Sequence, residues 1–135
     1  MKNNIEDIFL DVRGLKTHFF TDEGVVKAVD GVDFTITRGR TICIVGESGC
    51  GKSITARSIL QIIDKPGKIV EGKMLLQKNS GENIDICRLK STGKAMRKIR
   101  GKEISMIFQE PMSSLSPIHT IGNQIMEGIE LHFRT

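Results

Sequence analysis

Apolar and polar positions alternate along roughly the first forty residues, and the pattern then changes. Ile8-Phe9-Leu10-Asp11-Val12 reads as an opening strand that continues loosely through Leu15 to Phe20. Asp22-Glu23-Gly24 is a turn signal. Val25-Val26-Lys27-Ala28-Val29 follows, and then Val32-Asp33-Phe34-Thr35-Ile36, where one face is apolar and the other polar, as in a half-buried antiparallel strand. These segments predict an antiparallel β layer over residues 1–40. Arg38-Gly39-Arg40 turns the chain into Thr41-Ile42-Cys43-Ile44-Val45, which is short, β-branched and apolar. That composition predicts a strand buried on both faces. Ala56, Ile59, Leu60 and Ile63 then recur at helical spacing, and Pro66-Gly67 predicts the stop of that helix.

The second half is patterned less sharply. Residues 69–77 read as a strand, closed by the turn-forming run Asn79-Ser80-Gly81-Glu82-Asn83. Residues 87–99 predict a basic helix weakened by Gly93 and ended by Gly101. Ile104-Ser105-Met106-Ile107-Phe108 is a second candidate for a buried strand, and it delivers Gln109 at its C-terminal end. Open α/β sheets put their ligand chemistry at such strand ends. Pro111, Ser113, Ser114, Ser116 and Pro117 predict an irregular loop, and Thr120 a cap for a last helix carrying Ile121, Ile125 and Ile129.

Between the apolar strand 41–45 and the helix lies Gly46-Glu47-Ser48-Gly49-Cys50-Gly51-Lys52-Ser53, which fits the phosphate-loop pattern G-x-x-x-x-G-K-[ST]. The spacing has a chemical reason. Glycines let successive backbone N–H groups point inward at an anion. Lys52 supplies a point charge for the outer phosphates, and the Ser53 hydroxyl can ligate Mg²⁺. A helix that starts at the loop adds its positive dipole end. A glycine-rich strand–helix turn without a ligand is the competing reading, and the flanking strand and helix patterns argue against it. Cys50 is either a small loop filler or a reactive thiol.

Composition narrows the class. The 135 residues amount to one modest domain with a formal charge of +4. No apolar run approaches the roughly 18 residues of a membrane span, and the first seven residues carry no apolar signal core. Three scattered cysteines form no metal spacing and fit a reducing compartment. The cations Arg88, Lys90, Lys94, Arg97, Lys98, Arg100 and Lys102 crowd one segment. A solvated helix face explains them better than nucleic-acid contact, because the chain has no Trp or Tyr and this segment no Phe to stack on bases.

An antiparallel layer, the loop GESGCGKS and a later segment Ile107-Phe108-Gln109-Glu110-Pro111 together resemble the ATP-binding subunits of ABC transporters. The wording VKAVDGVDF over 26–34 and IFQEPMSSLSP over 107–117 is similar to the oligopeptide/dipeptide and nickel importer branch. The resemblance runs from about residue 8 to residue 132 and implies an α/β P-loop NTPase fold, a RecA-like core preceded by the antiparallel layer. Residues 41–135 would form the strand–helix part of that core up to and past the glutamine. It implies ATP and Mg²⁺ as cofactors. Gly46, Glu47, Ser48, Gly49, Cys50, Gly51, Lys52 and Ser53 would wrap the β- and γ-phosphates, with Ile54 next at the helix start. Ser53 would sit on Mg²⁺, and Gln109 would approach Mg²⁺ and the attacking water, since an amide donates to one oxygen and accepts from another without adding charge. An aromatic of the β layer would stack on adenine. Phe19 is the first candidate and Phe20 the second, and adjacent strand residues face opposite ways.

The family pattern also carries a signature loop, a Walker B strand ending in paired acids, and a switch histidine. None of these follows Gln109 here, and His132 has no strand before it. The expectation is therefore an N-terminal portion of one ATP-binding domain that binds nucleotide and hydrolyses little or none by itself. Its implied partners are transmembrane permease subunits, a second ATP-binding subunit and, indirectly, a solute-binding protein, at the cytoplasmic face of the membrane and without nucleic acid. A DNA-maintenance ATPase of the same superfamily and a non-catalytic nucleotide-binding module are the alternatives. The apolar faces at 42–45 and 104–108 are expected to be partly uncovered.

Overall fold

The computed structural model describes residues 8–78, 80–110 and 115–133. The expected loop residues Pro111, Ser113 and Ser114 and the turn residue Asn79 lie outside the described residues.

The alternating N-terminal segments fold as two long strands, β1 (Ile8–Thr21) and β2 (Gly24–Thr37). They pair antiparallel across the Asp22-Glu23 turn, with Thr21 opposite Gly24 and Ile8 opposite Thr37. The ladder shifts register near Leu15, opposite the stretch where Gly31 adopts φ 86. This joins the two expected segments of β2 into one bent strand. β3 (Gly67–Gln77) pairs antiparallel with the other edge of β1, and the short β4 (Asn83–Asp85) extends it, giving the order β2-β1-β3-β4. The predicted strand 69–77 thus belongs to the N-terminal layer and not to a parallel core.

Leu10, Val12 and Leu15 of β1, Val29 of β2 and Met74 and Leu76 of β3 are buried on this sheet. Ile86 joins them from a 3₁₀ turn, Ile86–Arg88, capped by the Asp85 carboxylate on the Cys87 N–H. Met96 and Ile99 come from α2 (Lys94–Ile99). Each fully buried aliphatic side chain contributes roughly 2 kcal/mol. The basic helix is shorter than expected. It begins only after Gly93, which stands at its N-cap, so the glycine delimits the helix instead of weakening its middle.

Three expectations are corrected. Residues 41–45 form no strand, and Ile42, Ile44 and Val45 are exposed. Residues 104–108 form no strand either, beyond an isolated parallel bridge of Ile104 with Arg100, and Ile107 and Phe108 are exposed. Their β-branched, apolar composition suits the middle of a parallel sheet, but the described residues offer them no neighbouring strand to complete a ladder. The sheet that is present is wholly antiparallel.

The third correction concerns α1 (Lys52–Ile59). It ends at Leu60, well before Pro66-Gly67, and Ile63 lies outside it. Its buried face carries Thr55 and Ser58, with Leu60 buried just beyond, while Ala56 and Ile59 are half-buried. The last helix, α3 (Ile121–Phe133), is present, with the Thr120 hydroxyl accepting from the Asn123 N–H at 3.3 Å. Its apolar positions Ile121, Ile125 and Ile129 are exposed rather than packed.

Candidate functional site

The glycine-rich loop hangs between the end of β2 and the start of α1. Gly49 and Gly51 take φ of 82° and 89°, where L side chains rarely go. At Gly51 a methyl group would also lie 2.3 Å from the Ala28 carbonyl oxygen of β2. The loop therefore seats on β2 only because this position lacks a Cβ. At Gly46 a Cβ would meet the Cys50 sulfur at 2.5 Å, so Cys50 fills the space that Gly46 leaves while remaining exposed.

Gly51 is the N-cap of α1 in a left-handed conformation, with no side-chain cap and no acid in the first turn. The Thr55 N–H closes the first helical bond onto the Gly51 carbonyl at 2.8 Å, and its hydroxyl reaches the same oxygen at 3.0 Å. The amides at the start of α1 precede that first bond and have no intrahelical acceptor. Lys52 folds back over the loop. Its Nζ donates to the carbonyls of Gly46 at 2.7 Å and Glu47 at 2.6 Å, and lies 3.5 Å from Cys50 Sγ. A positive charge, open amides and the exposed Ser53 hydroxyl thus share one end of the helix. That donor set fits a phosphate group with a hard cation such as Mg²⁺ beside it.

Gln109 comes to the same place. A cleft of about 610 Å³ is lined by Ile44, Lys52, Ser53, Ala56 and Arg57 on one side and residues 106–110 on the other. The segment that fails to become a strand still returns along α1, and it puts Gln109 on the cleft with Lys52 and Ser53. Arg57 is tied to Asp64 at 2.6 Å.

The two aromatic candidates are separated. The Phe19 ring lies over Gly67, where an added Cβ would be 2.6 Å from it and equally close to the Ile63 side chain. Two residues earlier, Thr17 bonds Ser58 of α1, so Phe19 lies on the side of the sheet that meets α1. Phe20 is exposed, with the Lys68 ammonium 4.5 Å from its ring centroid. The basic segment does not form one helical stripe. Arg88 pairs with Asp85 at 3.3 Å, Arg100 binds two carbonyls at the exit of α1, and Arg97, Lys98 and Lys102 border a separate cleft with Lys78 and Glu103.

Sequence reasoning passed over Ala28 and Arg100. Ala28 carried no signal, because its part is a backbone carbonyl. Arg100 was hidden among neighbouring cations of equal charge.

Comparison with known proteins identifies the family. The family model described as ABC transporter matches residues 29–132. A probable peptide ABC transporter ATP-binding protein of Sinorhizobium fredii is 47% identical over 129 residues, covering 95% of this chain and 36% of that protein. The oligopeptide transport ATP-binding protein AppD of Bacillus subtilis is 47% identical over 127 residues, covering 91% and 36% respectively. The glutathione import ATP-binding protein GsiA of Shigella boydii is 44% identical over 124 residues, covering 91% of this chain and 20% of that protein. The chain spans about a third or less of the length of these relatives. With the phosphate loop, the glutamine segment and a family match over most of its residues, this chain belongs to the ABC transporter ATP-binding family and carries its P-loop NTPase nucleotide motif.

Proposed function

We propose that the chain is the ATP-binding N-terminal portion of an importer subunit that couples ATP binding and hydrolysis to uptake of peptides or related solutes. Its antiparallel β layer is built from β1, β2, β3 and β4, and the phosphate loop, α1 and the segment leading to Gln109 belong to the start of a RecA-like core. The observation that carries this reading is the convergence of Lys52, Ser53 and Gln109 on one cleft at the start of α1.

In this reading the amides of the loop from Gly46 to Ser53, with Glu47, Ser48, Gly49, Cys50 and Gly51 between them and Ile54 behind, hold the β- and γ-phosphates. Lys52 exchanges its two carbonyl partners for phosphate oxygens, a short movement of one flexible side chain. Ser53 and Gln109 would hold Mg²⁺ beside the phosphates, where its charge would offset theirs, and the Gln109 amide would orient the attacking water. Bound ATP supplies the phosphoanhydride that the intact assembly cleaves. Phe19 stacks on adenine. It sits on the α1 side of the sheet, whereas one face of Phe20 is already covered by Lys68.

Little or no hydrolysis is expected of this chain alone, because the acids after Gln109 (Glu110, Glu127 and Glu130) do not form the strand-end acid pair that activates water in the family pattern. The partners are transmembrane permease subunits and a second ATP-binding subunit, with a solute-binding protein acting indirectly. The chain works at the cytoplasmic face of the membrane, and none of its described helices is long and apolar enough to cross one. The names of the relatives support the peptide class.

Titration with a fluorescent ATP analogue and Mg²⁺ tests the reading. Saturable binding is expected, with a loss of at least tenfold in affinity for Lys52→Ala. Equal affinity in a folded Lys52→Ala sample would overturn it. Robust Mg²⁺-dependent phosphate release by the chain alone would contradict the expected lack of turnover.

A further inference from the structure

The exit of α1 is held by a residue that the nucleotide reading does not use. Arg100 donates from Nε to the Leu60 carbonyl at 2.7 Å and from Nη2 to the Gln61 carbonyl at 2.9 Å. Leu60 is the C-cap of α1. Beyond it the Gln61 N–H returns to the Ser58 carbonyl and the Ile62 N–H to the Arg57 carbonyl, each at 3.0 Å. This paired closure places its C′ residue in the left-handed region, where glycine is usual. Here that residue is Gln61, at φ 50. Its side-chain amide donates to the Ile86 carbonyl, and Arg100 sits on its own carbonyl. A guanidinium at this point also meets the negative end of the helix dipole.

Arg100 is at the same time where the return path begins. The Gly101 N–H bonds the Ile104 carbonyl at 2.9 Å, the Ile104 N–H bonds the Ile99 carbonyl at 3.1 Å, and Arg100 bridges Ile104. From this closed turn residues 105–110 run back to the cleft beside Lys52, Ser53 and Ala56. The lengths agree: α1 is about 12 Å long, and the five residues from Ile104 to Gln109 reach about 16 Å when extended. A chain anchored at the C-terminal end of α1 therefore delivers Gln109 to the N-terminal end.

We propose that Arg100 is a positioning residue. Its fork on the Leu60 and Gln61 carbonyls sets where residues 104–110 lie along α1, and so holds Gln109 on the cleft with Lys52 and Ser53. The inference deepens the nucleotide reading and rests on it for its functional consequence, while its geometric content stands apart. Lysine would keep the charge but cannot make two bonds of fixed relative direction.

Two measurements test it. In a chain whose three cysteines are replaced by serine, new cysteines at Ala56 and Phe108, both on the cleft, are joined by a short bis-thiol reagent. Arg100→Met is expected to slow this cross-linking at least fivefold, and Arg100→Lys to slow it less. A wild-type rate in folded Arg100→Met overturns the proposal. If Arg100→Met does not fold, a wild-type rate in Arg100→Lys overturns it instead. With native cysteines restored, Arg100→Met is expected to weaken Mg²⁺–ATP binding at least fivefold relative to ADP. Gln109→Ala should do the same, and the double variant should add nothing further. An equal loss for both nucleotides would assign Arg100 to general stability and overturn the positioning role. If the parent chain binds neither nucleotide, the nucleotide reading fails, and the cross-linking rates still decide the placement of residues 104–110.

Discussion

Gly51 and Ala28 touch backbone to backbone: a methyl group on Gly51 would lie 2.3 Å from the Ala28 carbonyl oxygen, at a φ of 89°. The contact locks the phosphate loop onto β2. Gly51→Ala must move either the loop or the strand. We expect destabilisation of about 2–4 kcal/mol from the combined clash and left-handed strain. Nucleotide binding should be lost even below the unfolding transition. Urea melts followed by circular dichroism, with nucleotide titration at low urea, check both. Gly49→Ala meets no atom within 4 Å and bears the conformational penalty alone, so it should cost about 1–2 kcal/mol.

The two glycines show what was legible in the sequence and what was not. The loop motif marked Gly46, Gly51, Lys52 and Ser53 by spacing, and alternation predicted the antiparallel layer that β1 and β2 form, because both signals are local; that β3 and β4 extend the same sheet was not legible. The strand expectation at 41–45 and 104–108 failed because a buried parallel strand is defined by neighbours, and these residues find none among those described. The helix end was misplaced because Gln61 adopts a conformation that its residue type does not advertise. Its support comes from Ile86 and Arg100, which are 25 and 39 positions away. Ser58 and Thr55 fall outside the apolar spacing of Ala56, Ile59, Leu60 and Ile63, and their burial comes with hydroxyl bonds that apolar periodicity does not register.

The Thr17–Ser58 hydroxyl pair, 2.8 Å apart and fully buried, joins β1 to α1. Ser58 also reaches the Ile54 carbonyl at 2.6 Å. Ser58 has one hydroxyl proton. If it donates to Ile54, Thr17 must be the donor to Ser58. The consequences are unequal. Ser58→Ala leaves the Thr17 donor buried without a partner and should cost about 1–3 kcal/mol. Thr17→Val leaves Ser58 bonded to Ile54 and should cost under about 1 kcal/mol. The double variant should be more stable than Ser58→Ala alone. A thermal-melt double-mutant cycle gives these three values, and equal single costs would contradict the donor assignment.

The cysteines differ in environment. Burial, and secondarily the Asp85 carboxylate, pushes the Cys87 thiol above its ordinary range. Unfolding restores the ordinary value, so the unfolded chain loses this proton first as pH rises. The neutral thiol therefore contributes its full share of stability below the ordinary thiol pKa, and that share is lost as pH climbs through the raised folded value. Cys87→Ser should remove this alkaline dependence, which sets in as pH rises past the ordinary thiol pKa. Iodoacetamide at pH 8 should label the exposed Cys43 and Cys50 well before half-buried Cys87, as read by peptide mass spectrometry. Because Cys50 lies 3.5 Å from the Lys52 ammonium, its alkylation should also abolish nucleotide binding.

The apolar face of α3 makes the last prediction. Ile121, Ile125 and Ile129 share one face of this short helix, and each is about half exposed or more. Side chains so placed contribute little to the stability of this chain, yet together they form a patch that water tolerates poorly. Their removal should therefore separate solubility from stability. Ile121→Lys with Ile125→Glu is expected to lower concentration-dependent light scattering severalfold, while the urea midpoint moves by less than the equivalent of about 0.5 kcal/mol. A large drop in the midpoint would mean that α3 packs on the sheet in solution through these residues. The same charges at Met96 and Ile99 should unfold the chain, because both side chains are fully buried in the hydrophobic core.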